Sequence, residues 1–416
     1  MRQRIVPFLT FLSVLLLAGC SLTPDTGPTT NGPAAPTNPP AATSAPAPPP
    51  QTLAYIGSDN NVWVMTWPNG TPKQLTNDSV PTNRYTWLAW SPDGSLLAAE
   101  KTTPAIDVNF LVIMQPDGKV VVNMPLPGGS AYDLPFAWSP DSTMLAFRGF
   151  PVGNLPDGTA TGTLYIFDAH TGKKQKTITF TAGGSGCGGA GPFDALTQEM
   201  WTVHHTSWEV YSGDTFAWSP DQHSNLVSNS CSQAGAAQVD LSTGVTDLPY
   251  PYDGGYQPGG NMILGYWHDG TLGLTDLSAK HVRALVKPGA YDASYMLGMG
   301  QSVWASDSQS VYYEHDDSIW QVGVDGSNPH LIVAGTALDS QQNATLQLVP
   351  APSPDGKLLL YLQVKGSNRE VNSDDPAPQP TPTIPLTTQW YVAQADGSNP
   401  VALPQGVQEA VWQPVP

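Results

Sequence analysis

One short segment returns along this chain and limits what it can fold into. Leu88-Ala89-Trp90-Ser91-Pro92-Asp93-Gly94 comes back as Phe136-Ala137-Trp138-Ser139-Pro140-Asp141 and as Phe216-Ala217-Trp218-Ser219-Pro220-Asp221. Looser copies are Val303-Trp304-Ala305-Ser306-Asp307, Ala351-Pro352-Ser353-Pro354-Asp355-Gly356 and Val411-Trp412-Gln413-Pro414. Recurrence at roughly 40 to 50 residues marks a repeat architecture, whose units bury their apolar faces only against one another. Each copy reads as a strand, a tight turn and a strand. An apolar-alternating run ends in Trp, Pro presets φ at the first central turn position, Asp accepts the second, and Gly takes the left-handed position. A second run such as Leu96-Leu97-Ala98-Ala99 then leaves the turn.

The copies sit at Trp90, Trp138, Trp218, Trp304, Pro352 and Trp412, in steps of 48, 80, 86, 48 and 60 residues. The 86-residue step is too long for one unit, and midway along it Tyr256-Gln257-Pro258-Gly259-Gly260 fits the template with Tyr for Trp. That makes seven. A second hairpin alternates with the first, its turn built on Asp, Asn and Gly: Trp67-Pro68-Asn69-Gly70, Pro116-Asp117-Gly118, and the turns beginning at Asp168, Asp240, Asp276, Asp325 and Asp396. Seven of these occur as well. Their flanks alternate as half-buried strands do, as in Asn61-Val62-Trp63-Val64-Met65-Thr66.

These segments resemble the TolB-like, WD40-like β-propeller repeat, in which a Trp-Ser-Pro-Asp-Gly segment links the innermost two strands of each four-stranded blade. The resemblance covers essentially everything after residue 51. It implies an all-β fold, a seven-bladed β-propeller of four-stranded antiparallel blades. The folded part starts with the last three strands of a blade, Leu53 to Thr76, and ends with a lone first strand, Val407 to Trp412. Pairing these two ends would complete a blade and close the ring, removing exposed sheet edges. Trp90, Trp138, Trp218, Trp304 and Trp412 are then inter-blade core. TolB's separate N-terminal domain has no counterpart in this reading, and seven blades depart from the six typical of that protein, so its partners do not carry over.

Arg2 and Arg4 precede an apolar run from Ile5 to Ala18, closed by Leu17-Ala18-Gly19-Cys20. A basic start, a short apolar stretch and small residues describe a cleaved export signal over residues 1–19 rather than a spanning helix. The closing four residues resemble a bacterial lipobox, which implies lipidation of Cys20, with acyl chains such as palmitate, and anchoring without a membrane span. Ser21 resembles the default outer-membrane signal where there are two membranes; otherwise the anchor holds the chain on the outer face of the cytoplasmic membrane. Residues 20–51 form a Pro-, Ala- and Thr-rich tether with too little apolar surface to fold. Thirty residues at about 3.1 Å each reach roughly 90 Å. Residues 52–416 are the propeller, interrupted by a Pro-rich loop at 365–389.

The chain carries 16 basic and 34 acidic residues, a net charge of −18, and losing Arg2 and Arg4 with the signal leaves −20. That balance disfavours nucleic acid and flat docking on anionic lipid, which need a basic face. Once Cys20 is lipidated, Cys187 and Cys231 remain, and two thiols in an exported protein point to a disulfide. Closing a 44-residue loop would contribute about 4 kcal/mol in the chain-entropy model.

Loop lengths place a candidate site. The long connections (Lys101 to Asp107, Phe150 to Thr161, Thr181 to Thr215, Lys287 to Gly298, Ala334 to Gln342 and Lys365 to Gln389) all join second to third strands or neighbouring blades, which puts them on one face. Insertions gathered on one face of a repeat protein often mark its binding side. Thr181 to Thr215 carries Trp201, His204, His205, Trp208 and Tyr211, and Tyr252 and Tyr291 lie in other connections. These aromatics would stack on a sugar or peptide, or pack the loop onto its own blade. His204, His205 and Glu209 lack the spacing of a metal site, and the glycines from Gly183 to Gly189 form neither a phosphate loop nor a nucleophile elbow.

The expected function is a non-enzymatic, lipid-anchored binding or scaffold module for a protein, peptide or envelope glycan, without metal or cofactor and monomeric. Two rivals remain open. A glycan hydrolase or lyase would need paired carboxylates converging on the central channel, and the Ser-x-Asp-x-Gly-x-Thr-Trp box of sialidases is absent. A structural spacer or sensor would have no concave, aromatic-lined pocket.

Overall fold

Runs such as Val62-Trp63-Val64-Met65 and Leu111-Val112-Ile113-Met114 combine β-branched, aromatic and apolar residues between turn formers, and they form strands. The computed structural model describes residues 50–103, 109–126, 136–149, 160–182, 216–222, 224–227, 236–244, 246–250, 255–267, 271–278, 281–287, 302–315, 317–336, 343–367 and 387–415. The first strands are β1 (Gln51–Ile56), β2 (Val62–Trp67) and β3 (Lys73–Gln74). Three four-stranded meanders follow. They are β4 (Tyr85–Trp90), β5 (Leu97–Lys101), β6 (Phe110–Met114) and β7 (Val120–Pro125); β8 (Phe136–Trp138), β9 (Met144–Gly149), β10 (Ala160–Asp168) and β11 (Lys174–Ala182); and β12 (Phe216–Trp218), β13 (Ser224–Val227), β14 (Ala236–Asp240) and β15 (Thr246–Tyr250). A three-stranded sheet comes next: β16 (Met262–Tyr266), β17 (Leu272–Asp276) and β18 (Val282–Val286). Two more meanders complete the series: β19 (Ser302–Trp304), β20 (Ser310–His315), β21 (Ser318–Gly323) and β22 (His330–Val333), then β23 (Asn343–Pro352), β24 (Leu358–Ser367), β25 (Thr387–Gln394) and β26 (Val401–Ala402).

The last strand, β27 (Glu409–Trp412), pairs with β1 in the register Leu53↔Trp412 to Ile56↔Glu409, giving the sheet order β27-β1-β2-β3. Gln408 N donating to Ile56 O and Gln413 N donating to Thr52 O, each at 2.9 Å, extend the pairing at both ends. The C-terminal strand therefore closes the N-terminal sheet. Outer strands are the exposed ones, as in β3 and β26, whereas β1, β5 and β6 are almost wholly buried.

Among the described residues there are six four-stranded blades, not the seven expected. The sheet β16–β18 has, among the described residues, no regular first strand: Tyr256 makes an isolated bridge to Ile263, and Gly255 O accepts from Leu264 N. The physical reason is in the residues. Gly255 and Pro258 flank Tyr256, and both are poor strand formers.

The core lies between neighbouring sheets rather than inside any one. Leu53, Tyr55 and Trp412 pack with Leu360, Leu362 and Trp390 of the preceding sheet, and Ala54, Ile56 and Val64 pack with Tyr85, Leu97 and Val112 of the following one. Trp87 and Leu111 meet Phe136 and Phe147, with Trp87 and Phe136 edge to face at 4.9 Å. Trp218 packs against Leu164 and Ile166, and Trp304 against Leu264 and Leu274. Trp90, Trp138, Trp218, Trp304 and Trp412 are each 6–9% exposed.

The recurring turn explains its own sequence. Ser91 Oγ donates to Asp93 Oδ1 at 2.6 Å while accepting from Leu96 N at 2.9 Å, and Gly94 N returns to Ser91 O. Ser139–Asp141, Ser219–Asp221 and Ser353–Asp355 repeat the pair at 2.6–2.7 Å, and all four serines are at most 1% exposed. The position after Asp has positive φ throughout, filled by Gly94, Gly356, Ser142, Gln222 and, at the loosest copy, Ser308.

Side chains on these turns also join one sheet to the next. Trp138 Nε1 donates to Ala89 O at 3.2 Å, Trp304 Nε1 to Gly255 O at 3.0 Å and Trp412 Nε1 to Ala351 O at 3.0 Å. In each case the acceptor is the residue just before the preceding Trp position. Asp93 N donates to Ser142 Oγ, Ser306 Oγ to Ser353 O, Ser308 Oγ to Pro258 O and Gln413 Nε2 to Gly94 O.

Candidate functional site

Because each sheet is an antiparallel meander, its first-to-second and third-to-fourth turns share one face. Connections between second and third strands, and between sheets, share the other. The turn face is closed by tight, internally bonded turns. Asp168 Oδ1 accepts from His170 N, Thr171 N and Thr171 Oγ1, and Asp240 Oδ1 accepts the same pattern from Ser242 and Thr243. Such bonds hold Asp168, Asp240, Asp325 and Asp396 below the ordinary carboxylate range, the Thr171 hydroxyl being the main cause for Asp168 and the Ser242 hydroxyl for Asp240. These are turn carboxylates occupied by their own loops.

The loop face is built differently. In the β1–β2 connection Asp59 accepts from Trp63 Nε1 at 3.0 Å, Asn61 N at 3.1 Å and Gln74 Nε2 at 3.1 Å. Burial alone would lift its carboxyl, but these bonds hold it low. Beside it, Lys101 pairs with Asp78 at 2.5 Å, Tyr85 donates its hydroxyl to Asp78 at 3.1 Å, and the Lys101 ammonium lies 5.1 Å from the centre of the Tyr85 ring. Burial, then the Asp78 charge, pushes the Tyr85 phenol far up, so it is no base. Both clusters bind themselves.

A cleft of about 430 Å³ opens on this face where β26 has ended and the chain crosses to β27. Gln363, Lys365, Gln389 and Tyr391 of β24 and β25 form one side, and residues 405–408 the other. β26 pairs only with Tyr391 and Val392, which leaves the start of β25 uncovered there. The strands run to Ser367 and resume at Thr387, so both ends of the expected 365–389 loop are sheet. None of these residues stands out in the sequence, since scattered glutamines carry no periodic signal. Among the described residues no three His, Cys, Asp or Glu gather in a way that could hold a metal.

The nominated aromatics and histidines, Trp201, His204, His205, Trp208, Tyr211, Tyr252 and Tyr291, lie outside the described residues, as do Cys20, Cys187 and Cys231. No helix among the described residues is long and apolar enough to cross a membrane.

No protein-family model matches the chain, and no curated protein does. Solved structures do. A putative 6-phosphogluconolactonase from Bacteroides uniformis aligns with a TM-score of 0.50 at 12% identity, covering 87% of this chain and 99% of its own. TolB from Acinetobacter baumannii aligns at 0.44 and 13%, covering 88% and 67%. The propeller domain of the Trilobed protease from Pyrococcus furiosus, described as having an open velcro topology, aligns at 0.43 and 12%, covering 80% and 89%. At these identities the likeness speaks to architecture alone. With its cycle of antiparallel meanders and the β27–β1 closure, this chain has a β-propeller fold.

Proposed function

We propose that the chain is a non-enzymatic binding module, exported through residues 1–19, lipidated at Cys20, held on the cell envelope by the 20–51 tether, and engaging a protein, peptide or envelope glycan through its loop face. The carrying observation is the concave cleft on the loop face, lined by amides, hydroxyls, a lysine and a tyrosine, opposite a face of tight turns bonded to themselves. Among the described residues these lining groups are suited to holding a ligand. The sheet β16–β18 is read as a seventh blade, because the Trp304 indole reaches Gly255 as the Trp138 indole reaches Ala89 and the Trp412 indole reaches Ala351.

The test is the full chain, purified in detergent, on peptide and glycan arrays. Saturable binding that turns over no substrate is the expected result. Silence on both arrays would refute the binding reading, and a Cys20→Ser chain with the same mass and membrane partition as the parent would refute the anchor.

A further inference from the structure

We infer that the cleft between β24, β25 and residues 405–408 is a binding site for a neutral saccharide; this rests on the reading of the loop face as the binding side. The strand register builds one wall. Tyr391 is paired with Tyr361, Gln389 with Gln363 and Thr387 with Lys365, so an aromatic, an amide and a hydroxyl–ammonium pair lie in order on one face of the sheet. The two tyrosine rings stack, 5.5 Å apart and 15° from parallel. That fixes Tyr391 at the cleft.

The amides are fixed as well. Gln389 Nε2 donates to Leu403 O at 2.8 Å and to Trp390 O at 3.0 Å. Across the cleft, Gln408 Nε2 donates to Asn60 Oδ1 at 2.7 Å and to Gly57 O at 3.4 Å. With both NH₂ groups committed to the protein, each amide keeps its oxygen as an acceptor, and little side-chain freedom is lost on binding. Lys365 and the Thr387 and Thr388 hydroxyls supply donors. Fixed acceptors, a few donors and an aromatic ring complement a sugar, whose hydroxyls both donate and accept and whose C–H face is apolar.

Other ligand classes fit less well. Among the described residues no carboxylate lines the cleft, so the groups on view offer a cation nothing to neutralise it. A single lysine is too little for a polyanion. Val407 is the one aliphatic side chain among the described lining residues, a poor match to a lipid or to the apolar anchor of a peptide. The start of β25 is, among the described residues, open for three residues, since Leu403 N already occupies Trp390 O, and three residues are a short edge for an added peptide strand.

The experiment titrates the full chain in detergent with neutral hexose and N-acetylhexosamine oligosaccharides, beside acidic oligosaccharides and peptides. Gln389→Ala removes a wall amide, and Thr387→Trp fills the cleft from an exposed position without touching the core. Neutral oligosaccharide binding that weakens about tenfold or more in either variant, with an unchanged melting transition, is expected. Saccharide binding indifferent to both variants, or binding of peptides or acidic glycans alone, overturns the cleft assignment and leaves the binding module standing. Silence with every probe overturns both.

Discussion

Closure of the ring can be tested at Trp412. The side chain is 8% exposed, packs among Leu53, Trp67, Leu360 and Trp390, and donates from its indole to Ala351 O at 3.0 Å. Trp412→Ala removes a large buried aromatic, which costs about 3–5 kcal/mol. It also removes the indole hydrogen bond to Ala351 O, worth about 1 kcal/mol. The two losses overlap, so about 4–5 kcal/mol is expected, and at about 2 °C per kcal/mol for a large domain the melting temperature should fall by about 8–10 °C. Trp90→Ala is the control. Trp90 is 7% exposed, but its indole nitrogen has no partner among the described residues, so its loss should cost about 1 kcal/mol less. Calorimetry of the full chain at several scan rates would measure both, the rates guarding against irreversible unfolding. A Trp412→Ala chain melting within about 2 °C of the parent, or above Trp90→Ala, would refute the argument that β27 and its indole latch the ring.

Two further outcomes follow from the turns and the buried phenols. Gly94 and Gly356 have nearly the same φ, +68° and +69°, so Ala at either should cost about 1 kcal/mol of left-handed strain. A Cβ at Gly94 would also lie 2.5 Å from Pro414 O, whereas at Gly356 the first atom met is Ser306 Cβ at 3.6 Å; Gly94→Ala should therefore be the more destabilising by about 1–3 kcal/mol in urea titration, and equal costs would contradict the packing of the closing segment. Stability should also depend on pH at both extremes. Burial pulls the Asp93 and Asp141 carboxyls up, but the hydrogen bonds led by Ser91 and Ser139 hold them low on balance, so their contribution is present above about pH 4 and lost as pH falls through the depressed folded values. Tyr312, Tyr313 and Tyr361 are pushed up to about 12 by burial, so theirs is complete below about pH 10 and lost as pH rises towards 12. Melting temperatures measured across this range should form a plateau falling at both ends, and a flat acid limb in the parent would count against the turn assignment.

Much of the fold was legible because the turn carries its mechanism in its letters. Ser and Asp two residues apart bond to each other, Pro sets the bend, and Trp reaches back to the neighbouring sheet. Even the closure could be read, from a chain starting with three strands and ending with one. The count of complete blades failed at Tyr256, where the turn survives but, among the described residues, only an isolated bridge to Ile263 stands in place of a first strand. The cleft was illegible for a different reason. Gln363, Gln389 and Gln408 are ordinary polar residues, brought together only by the β24–β25 register and by the crossing to β27.

The β1–β27 pairing also imposes an order in time. Leu53 to Ile56 are among the first folded residues to be made, and their partners, Glu409 to Trp412, are almost the last. At about 5–20 residues per second, the first sheet waits on the order of tens of seconds with one long apolar edge unsatisfied. Contact order this high makes folding slow and leaves the nascent chain dependent on whatever shields that edge. The molecule is held as a ring only after its final strand is made, so any early stop in synthesis yields not a shorter propeller but an open one.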